Sequence, residues 1–274
     1  MKRTKRKNNK PSANQVDYRK IRDKIKPVEA MPTDLKVVCY GRAGTGKTTL
    51  AATFPKPILL IDISEKGTDS INTTKGVDVL RATEWDDLVQ AYWLVKQEKK
   101  YKTVVIDTCS NCQDLAIRAT KGDDVGDVGW GTLTRQEWGR VSGLMKNLFL
   151  DFRDLPGTNV VFIAHDRMFG GTDEDESDDQ IEPSVGPRLM PSVASALNAA
   201  VGIIGNMFIR ERVKEVKVGK KTKTIRKTQF CMRVGPHAYY TTKIRKPKDI
   251  TPPAFIVDPD YDKIRKAMKG ELDD

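Results

Sequence analysis

Residues 35–50 read LKVVCYGRAGTGKTTL, an apolar run followed directly by a glycine-rich segment. The run predicts a buried strand, and the segment has the spacing G-x-x-x-x-G-K-T of a loop that binds nucleotide phosphates. In such a loop backbone N–H groups surround the phosphates, the lysine reaches the β- and γ-phosphate oxygens, and the threonine hydroxyl contacts Mg²⁺. We therefore predict a triphosphate and Mg²⁺ site with an exposed loop lysine and a helix beginning at that lysine. The predicted binding residues are Gly41, Arg42, Ala43, Gly44, Thr45, Gly46, Lys47, Thr48 and Thr49.

The bulk properties of the 274 residues favour one main domain with appendages in a reducing cytoplasm. No run of 18 apolar residues predicts a membrane-spanning helix, so we expect no membrane partner. Four cysteines are too few for a disulfide scaffold. Cys109 and Cys112 form a C-x-x-C without a second pair, which favours packing over zinc binding.

The net charge of +11 is concentrated in two segments. Residues 1–30 carry 11 Lys/Arg against 3 Asp/Glu, and residues 207–250 carry 14 against 3, so the remainder is acidic. An acidic body with two basic segments favours a nucleic-acid partner. The alternative is that these segments are solvated and have no ligand.

Apolar runs alternate with amphipathic stretches through much of the chain. This rhythm predicts an α/β fold with a mainly parallel sheet, helices on both faces and a site at the carboxyl ends of the strands. The predicted strands are 35–40, 57–63, 77–82, 103–108 and 159–165, and the longer predicted helices are 84–100, 111–121, 134–150 and 191–200.

Four regions follow from these patterns. Residues 1–33 are predicted to be a flexible basic arm with one helical turn at 16–25, and residues 34–210 the ATPase core. Residues 211–250 are predicted to form a basic β-hairpin and core-closing strands, and residues 251–274 a tail with a short helix. Within the core, we expect residues 168–190 to form a long loop that contains the acidic run DEDESDD at 173–179.

A nucleotide site also needs an acid near Mg²⁺, and Asp107 supplies one at the end of the predicted strand TVVIDT. The alternative is an aspartate that only caps the next helix. The following residue is Thr108 rather than a glutamate, so the group that activates water must come from another strand. Glu65 follows the strand that ends near Asp62 and is our candidate for orienting water, the alternative being a solvated loop glutamate. This placement favours a RecA-like P-loop NTPase core.

ATP is favoured over GTP as the nucleotide. Thr120-Lys121-Gly122-Asp123 imitates the guanine-reading T-K-x-D but follows a predicted helix, and no D-x-x-G begins at Asp107. A sugar or nucleoside kinase is disfavoured because no stretch resembles a dedicated acceptor pocket.

The basic hairpin predicts a surface for DNA. Residues 210–234 contain two period-two strands that turn near Gly219 and carry lysines on both sides of the turn. Because lysine is a point charge without base preference, we expect salt-sensitive and sequence-tolerant binding. The candidate DNA-binding residues are Lys220, Lys221, Lys223, Arg226 and Lys227.

Three stretches together carry a resemblance to a known family: residues 41–71 (GRAGTGKTTLAATFPKPILLIDISEKGTDSI), 101–108 (YKTVVIDT) and 159–167 (NVVFIAHDR). They resemble the phage-encoded RecA-like AAA-type ATPases, which include nucleotide-binding and single-strand annealing or recombination proteins. The resemblance covers about residues 35–210, with QEWGR at 136–140 inside it and KIRKP at 243–247 beyond it.

The resemblance implies roles for individual residues. Lys47 and Thr48 would contact phosphate and Mg²⁺, Asp107 would contact Mg²⁺ and water, and His165 would sense the γ-phosphate. The family pattern Asp-x-Glu-Gly-Gly is altered here, because Glu65 lies one residue further along than in the family.

The resemblance also implies a DNA-dependent ATPase that acts on single-stranded DNA in phage recombination, annealing or repair, in the host cytoplasm. It would be a homo-oligomer, with Lys243 and Arg245 as candidates that act on a neighbouring subunit's site, and a single-strand-binding protein is a further candidate partner. An alternative is a nucleotide-switched adaptor or loader that recruits replication or recombination proteins with little turnover.

Overall fold

The computed structural model describes residues 19–28, 33–122, 133–170, 184–218 and 221–272. The chain divides into two compact units, residues 1–33 and 34–274. Within the described part of the first unit, the helix α1 (Arg19–Arg22) lies in the region where one helical turn is predicted. The elements below belong to the second unit.

The second unit is built on a nine-stranded sheet, with a separate two-stranded sheet beside it. The strands are β1 (Lys36–Tyr40), β2 (Ile58–Asp62), β3 (Val77–Arg81), β4 (Thr103–Asp107), β5 (Asn159–Ala164), β6 (Asp166–Phe169), β7 (Ser184–Pro187), β8 (Ile203–Val218), β9 (Lys221–Arg233), β10 (Lys243–Ile244) and β11 (Phe255–Val257). The helices are α2 (Lys47–Ala51), α3 (Trp85–Glu98), α4 (Cys112–Lys121), α5 (Arg135–Arg153), α6 (Pro191–Ala200) and α7 (Tyr261–Lys269), with a 3₁₀ turn at Gly67–Ile71.

The large sheet has the order β11-β9-β8-β1-β5-β4-β2-β3, with β10 paired to β8. From β8 to β3 the neighbouring strands are parallel, whereas β9, β10 and β11 each run antiparallel to their partners. Every residue of β2, β4 and β5 is buried, as expected for parallel strands that are covered on both faces. The predicted α/β fold class is therefore confirmed.

Alternate residues of the central strands enter two different cores. Val38 and Tyr40 point to the face covered by α3, α4, α5 and α6, while Val37 and Cys39 point to the face covered by α2 and α7. The longest helix, α5, begins with a capping box in which the Thr134 hydroxyl accepts from the backbone N–H of Glu137. That box explains why the helix starts where the sequence predicts it.

The predicted hairpin is present as a long antiparallel ribbon. The first residues of β8 pair with β1 as far as Asn206, and β8 also pairs with β9 from Asn206 opposite Arg233 to Val218 opposite Lys221, continuing beyond the core. The turn residues Gly219 and Lys220 lie outside the described residues.

Two segments differ from their sequence-based expectations. The predicted loop 168–190 is wrong at its ends, where β6 and β7 pair with each other, and the acidic run 173–179 lies outside the described residues. The segment 251–274 contains the expected short helix α7 but also adds β11 to the sheet. Strands of three or four residues give too short a pattern for recognition, and tertiary pairing alone defines them.

Candidate functional site

The glycine-rich loop connects β1 to α2 and has a backbone that requires glycine at several positions. A Cβ on Gly41 would lie 2.3 Å from the Met207 carbonyl oxygen. Gly44 and Gly46 have φ angles of 77° and 82°, in the left-handed region. The loop is closed by the Thr45 hydroxyl, which donates to the carbonyl of Arg42 at 2.8 Å. This geometry fits the predicted phosphate-binding loop.

Lys47 is buried inside the loop, and the expectation of an exposed lysine is wrong. The residue is only 8% exposed, and its Nζ donates to the carbonyls of Gly41 at 2.8 Å and Arg42 at 2.7 Å. Burial lowers its pKa, and nearby acidic groups such as Asp107 counteract this. The loop curls around its own lysine, so the ammonium lies among the backbone groups that would surround a phosphate.

Thr48 and Asp107 meet beside this lysine, although they come from separate parts of the chain. The Thr48 Oγ1 donates to Asp107 Oδ2 at 2.7 Å. Asp107 is 5% exposed, and burial raises the pKa of its carboxyl, while the bond from Thr48 partly counters the rise. A hydroxyl and a buried carboxylate are the oxygen donors that suit Mg²⁺.

Glu65 and His165 are brought together by the ends of β2 and β5. The His165 Nε2 donates to Glu65 Oε1 at 2.8 Å, and Asn111 Nδ2 donates to the same oxygen at 3.2 Å. Asn111 also donates to the carbonyl of Ile63 at 2.9 Å, which fixes the amide against the end of β2. The backbone N–H of His165 donates to Ser110 Oγ at 3.1 Å. This network holds the Glu65 carboxylate in one orientation.

Asp62 supports the same loop rather than the reacting groups. Its Oδ1 accepts from the backbone N–H groups of Glu65 at 3.1 Å and Lys66 at 3.2 Å. Asp62 is also the register partner of Asp107 between β2 and β4. The turn that carries Glu65 is therefore anchored directly beside the predicted Mg²⁺ ligand.

Sequence reasoning missed Asn111 and Ser110 as members of this site. In the sequence, Asn111 is only the first residue of the predicted helix 111–121, and the structure places it at the N-cap of α4. A signal was present, since a strand that ends in Asp107 places the following turn at the edge where β2 and β5 also end. The hydrogen bond to Glu65, however, depends on the adjacent strand and has no local signature.

The C-x-x-C motif lies at the start of α4, and the T-K-x-D motif begins at the end of that helix. Cys109 and Cys112 are buried, and burial raises the pKa of both thiols. Among the described residues, no group of three or more metal-ligating side chains is present. Lys121, at the end of α4, forms an ion pair with Glu137 at 2.9 Å, and Asp123 lies outside the described residues.

The structure describes only some of the candidate DNA-binding residues. Arg226 and Lys227 are exposed on β9, whereas Lys220 and the side chains of Lys221 and Lys223 lie outside the described part. Arg212 on β8 lies directly opposite Lys227, and both are exposed. Like charges directly opposite each other destabilise a strand pair unless a counter-charge is near.

The candidates for a neighbouring subunit's site form hydrogen bonds within this chain. Lys243 Nζ donates to the carbonyls of Asn198 at 2.8 Å and Ala199 at 3.1 Å, and Arg245 Nη2 donates to that of Ala199 at 3.0 Å. They stabilise the C-terminal carbonyls of α6. A role in a second subunit stays a prediction.

A cleft of about 690 Å³ lies next to the phosphate loop on the β8 side. Arg42, Ala43 and Thr45 line it from the loop, and residues 206–209 line it from β8. Phe208 and Tyr240 also line the cleft. The Arg233 guanidinium lies 4.5 Å from the ring centre of Phe208 and 4.1 Å from that of Tyr240, and donates to Asn206 Oδ1, so it links these lining residues to one another.

Comparison with known proteins identifies one family. Residues 33–245 match the model of a family described as an AAA domain, which spans most of the chain. A search of the curated proteins finds no match. Within the described ranges, none of the helices combines the length and apolar character needed to cross a membrane.

Proposed function

The chain belongs to the AAA domain family, and from that premise we propose that it binds ATP with Mg²⁺ and hydrolyses the ATP in response to single-stranded DNA. The observation that carries the proposal is the convergence of Lys47, Thr48, Asp107, Glu65 and His165 at one edge of the sheet, with Thr48–Asp107 at 2.7 Å and Glu65–His165 at 2.8 Å. These are the groups that phosphoryl transfer to water requires.

The phosphate side of the proposal rests on the loop. Its glycine backbone presents N–H groups to the phosphates, and Lys47 exchanges its two carbonyl contacts for phosphate oxygens. Thr48 and Asp107 would provide oxygen donors for Mg²⁺, which would supply positive charge against the phosphates. Burial raises the pKa of the Asp107 carboxyl, so its charged form would be stabilised by a cation held there.

The hydrolytic side rests on Glu65. Its carboxylate orients the attacking water and accepts a proton from it, while Asn111 and His165 hold the carboxylate in place. His165 lies between this carboxylate and the end of β5, a position from which it reports the terminal phosphate to the β5–β6 segment. General-base assistance of this kind contributes about 10²–10⁴-fold to a rate.

The DNA side rests on the charge of the β8–β9 ribbon. Residues 207–250 carry 14 Lys/Arg against 3 Asp/Glu, and the exposed residues Arg212 and Lys227 lie opposite each other in the strand pairing. A phosphate backbone offsets such repulsion, and lysine-rich contacts are insensitive to base sequence. The ribbon is therefore proposed to follow a DNA strand rather than read its bases.

The biological setting proposed for this activity is phage recombination, annealing or repair in the host cytoplasm. A homo-oligomer on DNA would place Lys243 or Arg245 near a neighbouring subunit's nucleotide, and a single-strand-binding protein would be a partner on the same DNA. These proposals depend on the resemblance of residues 35–210 to phage-encoded RecA-like ATPases.

One observation favours the adaptor as a second candidate. Glu65 Oε1 accepts two hydrogen bonds, from His165 and Asn111, so this carboxylate oxygen is engaged by the protein's own side chains. A nucleotide switch with slow turnover fits that arrangement. In this second reading ATP binding changes the protein's shape for a partner, and DNA has no effect on turnover.

A single titration separates the two candidates. ATP hydrolysis by the full chain is measured against increasing single-stranded and double-stranded DNA at two salt concentrations, and ATP binding is measured by calorimetry on the same preparation. The proposal expects stimulation by single-stranded DNA that weakens at the higher salt. Tight ATP binding with a low rate that neither DNA changes would support the adaptor, and absence of ATP binding would reject both candidates.

A further inference from the structure

An exposed apolar patch lies on one face of the β8–β9 ribbon. Ile209, Val213 and Phe230 are 44%, 56% and 39% exposed. Ile209 lies directly opposite Phe230 in the strand pairing, and Val213 is four residues further along the same strand, so the three side chains share a face. The basic ribbon thus carries apolar side chains where solvent would favour polar ones.

This patch begins at the phosphate loop. A Cβ on Gly46 would come within 3.4 Å of the Phe230 ring, so the ring lies directly against the loop residue that precedes Lys47. Ile209 lines the same cleft as Arg42, Ala43 and Thr45. A ligand held by the loop can therefore contact the patch without any rearrangement of the backbone.

The sheet order decides which end of the ligand reaches the patch. Asp107 and Glu65 follow β4 and β2, on one side of β1, whereas β8 and β9 lie on the other side. Since the terminal phosphate must meet Glu65 and His165, the opposite end of the nucleotide must extend away from them. That end carries the ribose and the base, and the β8–β9 side is where the open cleft lies.

We propose that Phe230 and Ile209 form the subsite for the nucleotide base, with the base stacked on the Phe230 ring and Ile209 in contact with its edge. The inference rests on the proposed function, because it places the base of the same triphosphate. Aromatic rings bind bases through their faces with little dependence on the base's hydrogen-bonding groups. The subsite is therefore expected to favour the larger purines over pyrimidines.

The test measures binding rather than turnover. Isothermal titration calorimetry with Mg²⁺ present gives Kd values for ATP, CTP and inorganic tripolyphosphate, which has the phosphates without ribose or base. The variants are Phe230→Leu, which keeps apolar volume and removes the ring, and Phe230→Trp, which keeps a ring. Val213→Ala is the matched control, since it lies on the same face but further from the loop.

The expected result is a selective loss. Phe230→Leu weakens ATP binding about tenfold, which corresponds to about 1.4 kcal/mol and lies within the range of base–aromatic stacking. Tripolyphosphate binding stays within about twofold of the unaltered chain, Phe230→Trp restores ATP affinity, and Val213→Ala changes nothing. The preference for ATP over CTP shrinks in Phe230→Leu.

Other results overturn the inference in distinct ways. Equal weakening of ATP and tripolyphosphate would make Phe230 a support for Gly46 rather than a base contact. Unchanged ATP affinity would place the base elsewhere, and a loss of self-association in sedimentation of that variant would assign the patch to a second copy of the chain. If the unaltered chain binds neither ATP nor tripolyphosphate, the proposed nucleotide function is wrong, and so is the base subsite that depends on it.

Discussion

On the β4 side of the phosphate loop the functional groups are polar and already paired with one another, whereas on the β8 side they are apolar and exposed. Glu65, His165 and Asn111 are linked by hydrogen bonds of 2.8 and 3.2 Å. Phe230 and Ile209, across the loop, are 39% and 44% exposed. The chemistry is placed on a rigid network and the contact surface is left open.

The difference follows from what each side must do. A group that orients water has to be held within a fraction of an ångström, which requires hydrogen bonds that are present before the ligand arrives. A surface that stacks a ring needs only a flat apolar face, because the interaction is non-directional and grows with buried area. The predictions below test whether these two sides act independently.

The largest effect is expected for Lys47→Met. This change removes the loop ammonium, on which the polar and the apolar side of the site both depend to hold the phosphates, and it keeps much of the side-chain volume. Turnover should fall by about 10³-fold, the scale for loss of a single group that stabilises transition-state charge. ATP binding should weaken as well, because the ammonium contacts phosphate in every state. Steady-state ATPase rates and calorimetry measure this. Lys75→Met, at an exposed lysine, is the control, and normal turnover in Lys47→Met would reject the site.

Glu65→Gln should affect only the hydrolytic side. The rate falls by about 10²-fold because the amide cannot accept a proton from water, and the Kd for ATP stays unchanged. Single-turnover hydrolysis and calorimetry on the same preparation measure the two quantities. Glu98→Gln, at an exposed glutamate at the end of α3, is the control. Normal turnover in Glu65→Gln would mean that another residue activates the water.

Reversal of Lys220, Lys221 and Lys223 to Glu should affect only DNA. Affinity for single-stranded DNA falls at least tenfold at low salt and the salt dependence becomes shallower, since fewer counterions are released. ATP hydrolysis without DNA is expected to be normal, because Lys221 and Lys223 pair with Val218 and Val216, at the end of β8 that is remote from β1. Fluorescence anisotropy on several DNA sequences measures the loss, which should be uniform.

The matched control for that experiment reverses Lys75, Lys99 and Lys102, which are exposed elsewhere on the core. It changes net charge equally, so it separates local contact from the overall field of the protein. If both triple variants lose the same affinity, or the ribbon variant loses none, the DNA contact lies elsewhere, with the basic residues 1–33 as the next segment to test.

The smallest effect is expected for Asn111→Leu. Loss of one hydrogen bond to Glu65 costs about 1 kcal/mol, so kcat should fall about fivefold while KM and the Kd for ATP stay unchanged. Asn72→Leu, at an exposed position in a surface turn, is the control. An equal fall in both Asn111→Leu and the control, or a change confined to KM, would show that Asn111 does not position the carboxylate.

The sequence is most informative where local pattern determines structure. The strands around Val37 and Asp107 are predicted because both of their faces are buried, and the loop is predicted because its backbone tolerates only glycine at Gly41, Gly44 and Gly46. The placement of Asp107 beside Thr48 follows from the parallel order of the strands.

The features that escaped prediction depend on contacts between distant segments. Asn111 acquires its role from a turn after β2, and Phe230 from a loop almost 200 residues earlier in the chain. β6, β7 and β11 are too short for any periodicity, and they exist because a neighbouring strand offers free backbone groups. Burial of Lys47 escaped for a different, local reason, since the carbonyls of its own loop accept hydrogen bonds from its ammonium.

One consequence follows from the length of β8. The same uninterrupted strand pairs with β1 beside the phosphate loop and continues to Val218 at the far end of the ribbon. From Asn206 to Val218 it spans about 40 Å at about 3.3 Å per residue. A small rotation of β8 beside the phosphate loop is therefore enlarged in proportion to the length of the ribbon. A tilt of about 5° at Asn206 displaces the tip by about 3.5 Å, roughly the axial spacing of about 3.4 Å between successive phosphates of one DNA strand.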